Sequence, residues 1–507
     1  MVMRLTASVL ASALLAACAV GPDHVRPQTA VPAQFGAAEA EPVGDATTSQ
    51  PAFDDAFLQG MGDPLLAHLV NDALRANHDL RLALARHDRA SALLRGARFD
   101  ALPTITAQGE AADVRSSQAQ APGVPRGLRD GEQWSAGISA GWELDLFGRV
   151  RRGIEAGRAQ AAASAADLRA MQVVIAGDVV HTYVELRGLQ ERLRVARANR
   201  DNQQATLDLV QARLDGGVGT AFDAARARAQ LEVTASRIPA LQAQEAVAMH
   251  RIAVLGGRPP RALVEELAAP GPLPALPARI DAGTPGDLLR QRPDIIAAEA
   301  RLHAATARIG VATADLFPRF TLGGLIGSQA IDSSLLFERD SETRLVALGI
   351  DWSFLDAGRV RARIAAADAD AEGELARYRQ AVLQALEETE NALVRHARTR
   401  SEDAHLARAA TDGALAARLA RVRFEAGASG LLDVLDAERM QLQAEDAFAE
   451  ARTRSVGSAV ALYKALAGGW PELAPDRERL ADATPRESHM LLRKPGRQAV
   501  TWSPDTQ

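Results

Sequence analysis

Ten residues, Trp142-Glu-Leu-Asp-Leu-Phe-Gly148-Arg149-Val150-Arg151, return further along the chain as Trp352-Ser-Phe-Leu-Asp-Ala-Gly358-Arg359-Val360-Arg361. A shift of 210 positions superposes the two, and the same shift carries Arg213, Gly217 and Asp223 onto Arg423, Gly427 and Asp433. A repeat kept in register over so long a stretch means that the chain is built twice from one plan. Each copy also joins two incompatible periods. Before Gly148, Trp134, Ala136, Ile138, Ala140, Trp142 and Leu144 alternate with Ser135, Gly137, Ser139, Gly141 and Glu143. That period of two marks a strand, either of a barrel or of a half-buried sheet. After Gly148, Val179, Leu186, Leu193, Leu207 and Leu214 fall on a spacing of seven, interrupted once by Arg200. No proline occurs between residues 126 and 238. A helix over 149–214 would be roughly 100 Å long, which calls for coiled-coil packing.

The full order follows from these signals. A helix is expected from Asp63-Pro64 to about Arg98, then a strand at 104–109 and a polar loop to Gln133. Gly216 to Thr220 ends the long helix, and a return helix runs from Phe222 to Leu255 before Gly256-Gly257. Pro and Ala dominate 258–286, read as a linker between a first repeat (63–257) and a second (287–470). In the second, a helix over 293–315 precedes a strand with Phe320, Leu322, Gly324 and Ile326 alternating. After a loop at 328–343, Val346, Leu348, Ile350, Trp352 and Phe354 alternate again. A helix over 359–425, the turn Gly427-Ala428-Ser429-Gly430 and a return helix to Leu466 complete the copy. Residues 471–507 read as a disordered polar tail.

Two strands per half make four, and the smallest natural transmembrane barrel has about 8. If the strands cross lipid, several chains must pool them. The seams of the long helices likewise exceed what one chain is expected to bury, so a ring of identical subunits around a channel is anticipated.

Composition excludes other classes. A net charge of -6 without a basic block gives nucleic acid no footing. The one cysteine, Cys18, rules out an intrachain disulfide and a cysteine-rich metal site. It follows a short basic start and the apolar run Leu5 to Leu15, which is too short to span a bilayer and reads as a signal peptide over 1–17. Leu15-Ala16-Ala17-Cys18 is either a lipobox, making Cys18 the acylated first mature residue, or an ordinary signal with a chance cysteine. Residues 18–62 read as a tether. No later segment reads as a transmembrane helix, so any crossing must use a closed barrel. No H-E-x-x-H, G-x-S-x-G or phosphate-binding glycine loop occurs, and His181 and His303 sit in helical patterns as structural or exposed residues. No enzyme activity, metal or cofactor is expected beyond the covalent lipid.

Taken together the chain resembles the TolC-like outer-membrane factors, in their NodT-type efflux lipoprotein branch. Cys18-Ala-Val-Gly-Pro-Asp23 with Val31-Pro32-Ala-Gln-Phe35 is similar to the mature start of that branch. Leu289-Arg-Gln-Arg-Pro-Asp-Ile295, Ile309-Gly-Val-Ala-Thr-Ala-Asp-Leu-Phe-Pro-Arg319 and Leu462-Tyr-Lys-Ala-Leu-Ala-Gly-Gly-Trp470 are similar to its later signatures. Phe53 and Phe57 stand where an aromatic pair usually precedes the first Asp-Pro. The resemblance implies an α+β membrane protein with a duplicated strand-hairpin and long-helix repeat. It further implies a homotrimer whose twelve-stranded barrel, four strands per chain, continues into a periplasmic α-helical coiled-coil tunnel. It implies an outer-membrane location, a periplasmic adaptor and a proton-driven inner-membrane pump. A duct for type I protein secretion is the nearest alternative, and a pore-less coiled-coil lipoprotein a more distant one.

Candidate working residues follow. Asp433 and Asp436 share a helix face just past the second turn. In a ring of subunits they would cluster carboxylates, which attract cations; a first-turn acid also simply stabilises a helix start. The resemblance implies that they form the periplasmic gate with Leu432 as an apolar collar, and Asp223 and Arg226 are the matching first-half positions, where an Asp-Arg latch is possible. The turns Gly217-Val218-Gly219-Thr220 and Gly427-Ala428-Ser429-Gly430 are helix stops, and the resemblance adds adaptor contact. Trp142, Gly148 and Arg149, with Trp352, Gly358 and Arg359, mark the passage from barrel to tunnel. The tryptophans serve either an interfacial girdle or local packing.

Overall fold

The computed structural model describes residues 19–36, 58, 60–276, 280, 282–467 and 475–477. The expected signal 1–17, Cys18, residues 37–57, Gly468 to Trp470 and nearly all of the tail lie outside the described residues.

Helix α1 (Pro64–Ala76) starts where Asp63 accepts hydrogen bonds from the amides of Leu65 and Leu66, with Pro64 in the first turn. The single helix expected as far as Arg98 is two. Asn77 takes an extended conformation, ends α1, and caps α2 (His78–Phe99) by accepting from Asp79 and Leu80. An asparagine whose side chain satisfies the next helix's free amides competes with continuation of the first.

Four strands form one antiparallel sheet in the order β1 (Thr104–Arg115), β2 (Asp130–Leu144), β3 (Arg319–Ala330) and β4 (Glu342–Asp351). The first hairpin runs further than its alternation suggested, because pairing continues to Arg115 opposite Asp130 through residues with no apolar pattern. The register is in phase across all four strands. Ala107, Ile138, Ile326 and Arg344 are successive partners, as are Trp142, Leu322 and Leu348. One face therefore carries Ile105, Ile138, Trp142, Leu322, Ile326, Val346, Leu348 and Ile350, all exposed in the single chain. Small and polar residues such as Thr106, Ser139, Gly141, Thr321 and Gly349 occupy the other. β1 and β4 are open edges.

The long helices are α3 (Arg149–Asp215) and, in the second copy, α9 (Ala357–Glu425). Between them lie α4 (Ala221–Ala235), α5 (Arg237–Leu255), α6 (Val264–Leu267), α7 (Pro285–Gln291) and α8 (Pro293–Ala314); α10 (Leu431–Leu466) returns after α9. The first return helix, expected to be continuous, breaks at Ser236. Pro239 cannot donate to the carbonyl of Ala235 and its ring crowds it. Ala449 holds the equivalent place in α10, which is unbroken.

Two further expectations are corrected by packing. Within 258–286, read as a linker, Leu263 and Leu267 are buried in the largest core, and a Thr284–Asp287 capping box starts α7 at Pro285. That core joins α1, the middle of α3, α5 and the Val456–Val460 stretch of α10. It buries Val179, Leu186 and Leu193 to 2% exposure or less. The seam of the first long helix is thus buried by its own chain. The seam of the second is not: Leu415, Leu419 and Val422 of α9 remain 42–56% exposed. Among the described residues, no helix is long and apolar enough to cross a membrane.

Candidate functional site

Three places carry the candidate residues: the strand-to-helix junctions, the N-terminal stretch laid across them, and the helical turns at the opposite end.

At the junctions the two tryptophans do the same thing. The Trp142 indole donates to the carbonyl of Ala101 at 3.0 Å, and that of Trp352 to Leu316 at 3.0 Å. Each acceptor lies two residues beyond the end of the preceding helix, so each indole ties an outgoing strand to the turn that feeds the incoming one. The glycines differ. Gly148 has φ +83°, and a Cβ there would lie 2.7 Å from the Ala19 Cα. Gly358 lies inside α9 with an ordinary φ and open space around it. Asp145 caps α3 by accepting from the amides of Val150 and Arg151, while Arg149 pairs with Glu143. In the second copy Leu355 replaces that acid, and Arg359 is paired only at 3.3 Å with Asp356.

Residues 19–36, expected to be a tether, are instead a strap docked on the helices. The Val20 amide donates to the Phe147 carbonyl, and Gly21, at φ +90°, presses on Gly310. The buried Arg152 holds Asp23 at 2.6 Å and Glu155 at 2.8 Å. His24 stacks on His303 at 4.5 Å, and His303 in turn contacts Glu155 at 2.8 Å. Arg26 pairs with Glu299, and Phe35 is buried beside Tyr378 and Val382. Burial holds the His24 pKa below its ordinary value, helped by the neighbouring His303 and opposed by Glu299 and Glu155.

The two turns are the same object made twice. In the first, the amides of Gly216, Gly217 and Val218 donate to Ala212, Leu214 and Arg213; in the second, Ala426, Gly427 and Ala428 donate to Val422, Phe424 and Arg423. Gly217 (φ +76°) and Gly427 (φ +73°) supply the left-handed residue that this helix ending needs. Past the turn the copies diverge. Thr220 caps α4, accepting from the Asp223 amide and donating to its carboxylate at 2.7 Å. Gly430 offers no such side chain, and the Asp433 carboxylate has no partner among the described residues. Arg226 lies 5.6 Å above the Phe222 ring rather than on Asp223, so no Asp-Arg latch is formed within the chain. Asp436 contacts Arg439 at 3.1 Å instead. Leu432, Phe222 and Val218 are each more than half exposed.

Beside the gate candidates is a cluster that the sequence did not single out. Glu438, 4% exposed, accepts from Thr206 and Arg421, each at 2.7 Å; Arg421 also donates to Thr206 and to the Asn202 carbonyl. It fastens α10 and α9 to α3. The positions matching Glu438, Arg421 and Thr206 in the other copy hold Arg228, Gln211 and Ala416, so the clasp exists once. Only the i, i+3 and i+4 spacing of polar residues on α3 hinted at it, and that pattern normally marks a solvated face.

The Outer membrane efflux protein family model matches residues 69–258 and 284–468, one block in each repeat. The chain is 32% identical over 436 residues to Nodulation protein T of Rhizobium leguminosarum bv. trifolii, covering 84% of this chain and 89% of that one. It is 33% identical over 435 residues to the pyoverdine export outer membrane protein OpmQ of Pseudomonas putida, covering 85% and 92%. Its structure is similar to that of the outer-membrane channel OprN, with a TM-score of 0.83 at 40% identity over 89% of this chain and 100% of that one. The chain belongs to the outer membrane efflux protein family, as an outer-membrane channel of TolC-like fold that extends into the periplasm.

Proposed function

We propose that three copies of this chain form the exit duct of a tripartite efflux system. The duct conducts small molecules, delivered by a periplasmic adaptor and a proton-driven inner-membrane pump, and neither catalyses nor drives their passage. The sheet carries this reading. Four in-phase strands with an apolar face and two open edges are unusable in lipid until neighbouring chains close the ring. Similarity to OpmQ, a pyoverdine export protein, favours small-molecule cargo over secreted protein. Heat-modifiable trimer bands on unboiled gels test the assembly; a monomer without barrel behaviour would overturn it.

The gate in this reading is the start of α10, just past the turn that joins it to α9. Asp433 and Asp436, with Leu432 beside them, stand exposed where three copies would bring six carboxylates together. Replacing both acids by Ala is expected to raise single-channel conductance in planar bilayers and to weaken block by multivalent cations. Unchanged conductance and block would reject them. The turns Gly217–Thr220 and Gly427–Gly430 are the surface offered to the adaptor, with exposed Val218 the apolar contact on the first. Cys18 is the lipid anchor. The strap begins at Ala19 against Gly148, where strand becomes helix, which is the depth an acylated neighbour requires.

A further inference from the structure

At the outer end of the sheet, charges stand on the apolar face where the folding of one chain does not use them. Strand β1 puts Asp113 and Arg115 on the face that carries Ile105, and β4 puts Glu342 and Arg344 on the same face beyond Val346. Arg115 is paired with Asp130, its partner across the hairpin. The side chains of Asp113, Glu342 and Arg344 make no hydrogen bond or salt bridge among the described residues. Asp113 even lies directly opposite Glu132, an acid facing an acid, which weakens a sheet. β1 and β4 are the two open edges, so each of these charges waits on a strand whose missing neighbour belongs to another copy.

Few registers join those edges. Closing the ring lays β4 of one copy antiparallel to β1 of the next; this rests on the three-chain duct proposed above. A slip of one residue would turn one strand's apolar set to the wrong face, so only every second register is open. In one of them Arg344 lies opposite Asp113 of the neighbouring copy, and Glu342 opposite its Arg115. Sliding two residues one way sets Glu342 against Asp113, and two residues the other way sets Arg344 against Arg115. Each slip therefore replaces an attraction by a like-charge pair. In the matched register Val346, Leu348 and Ile350 also fall opposite Ala111, Gly109 and Ala107, large against small. The geometry closes. Pairing runs from Ala107 through Ile138, Ile326 and Arg344, and returns to the next β1 at Asp113, six positions further on. Repeated over three copies, that stagger tilts twelve strands by about 46°, near the upper end of the roughly 35–45° of membrane barrels. The slip onto Arg115 needs about 54°, which is too steep, and the slip onto Asp113 about 35°, so there charge alone decides.

We propose that β4 of each copy joins β1 of the next in the register that pairs Arg344 with Asp113 and Glu342 with Arg115, and that these charges select it against the slips on either side. The pairs are incomplete in a single chain, where Asp113 faces only Glu132. The choice also sets the width of the exit. The matched register gives a barrel about 26 Å across between backbones, against about 22 Å for the shallower slip.

Cysteine pairs read the register directly. Ala112 and Leu345 stand on the opposite, bore-facing side and meet in the matched register, whereas Glu110 or Val114 meets Leu345 in the two slips. Within one chain β2 and β3 lie between them, so any bond joins two copies. On oxidation, the full-length assembly carrying Ala112→Cys and Leu345→Cys should give linked chains on denaturing, non-reducing gels. Its yield should exceed that of Glu110→Cys/Leu345→Cys or Val114→Cys/Leu345→Cys by about fivefold. Single-cysteine variants control for Cys18. Greater linkage in either slipped pair, or none in any, would overturn the register. Charge reversal tests the selection. Arg344→Asp should lower by several degrees the temperature at which the unboiled trimer band is lost, and adding Asp113→Arg should restore most of it. A double variant no better than the single one would overturn the role of the charges. A wild type without any trimer band would sink the duct reading itself, whereas a trimer linked in the wrong pair would sink the register alone.

Discussion

Of the 67 residues of α3, 28 are buried; of the 69 in α9, only 10 are. The two helices start from the same ten-residue junction and end in turns with the same three hydrogen bonds. Their neighbours differ. α1, α5 and α6 pack on the middle of α3, and α10 joins them there. α9 has α10 and α8 beside it and leaves Leu415, Leu419 and Val422 uncovered. One helix is the core of the protomer, and the other waits for a surface outside it. A duplicated sequence has produced an unequal pair, in which the first long helix is packed within the subunit and the second leaves most of its surface uncovered.

Four experiments break or sharpen that contrast. The largest effect is expected from truncating the two seams. Leu186→Ala removes a fully buried side chain and should cost about 2–5 kcal/mol, read as a lower urea midpoint. Leu419→Ala should leave that midpoint almost unchanged and weaken the trimer band on unboiled gels. Equal midpoint losses would mean that α9 is also a core helix.

The matched glycines should respond with opposite signs. Gly148→Ala forces a left-handed residue and meets Ala19, costing about 1–2 kcal/mol or more. Gly358→Ala adds a helix-favouring residue in open space and should stabilise by up to about 1 kcal/mol. Thermal melts of both variants check this, and a shared sign would show the junctions to be equivalent after all.

The clasp should matter on one side only. Glu438→Ala leaves Thr206 and Arg421 without their shared acceptor, costs about 1–3 kcal/mol, and should raise open-channel conductance by loosening α10 from α3. Arg228→Ala, at the matching position, should change neither stability nor conductance. Conductance that rises equally in both variants would dissociate the clasp from gating.

The smallest effect is expected at the strap. His24 is held neutral by burial, with its folded pKa below the free value of 6.5. Its contribution to docking is therefore complete above about pH 6.5 and is lost as pH falls through the folded value. The surrounding charges are Arg152, Glu155, Glu299, Arg26 and Asp23; Glu155 stays ionised here because, against burial, His303 and Arg152 hold its pKa below the ordinary carboxylate value. Hydrogen exchange at Val20, corrected for intrinsic rate, should accelerate several-fold between pH 7.5 and 5.5. His24→Phe, which keeps a ring but cannot titrate, should abolish the pH dependence. A strap whose exchange ignores pH in the wild type would remove His24 from its docking.

The sequence by itself determined the kinds and lengths of the main elements. Strand alternation and heptad spacing are local, and Gly217 and Gly427 mark the turns because only glycine is comfortable at φ near +75°. The same patterns gave the duplication and the number of strands. Breaks at Asn77 and Ser236 were legible in principle, from a capping asparagine and from Pro239, but a continuing apolar pattern on either side masked them. What only the tertiary structure decided is which copy of each element is buried. Tyr183 donates to Asp63 across 120 positions, and burial with that bond pushes the phenol up to about 12. Thr206 donates to Glu438 across 232 positions, which placed a buried carboxylate where the pattern suggested a solvated face. The strap's docking likewise depends on Arg152, Gly310 and His303, none near it in sequence. Periodicity reports a residue's neighbours along the chain, whereas burial and pairing depend on neighbours brought by folding. Here they turned two equal repeats into a packed half and an open one.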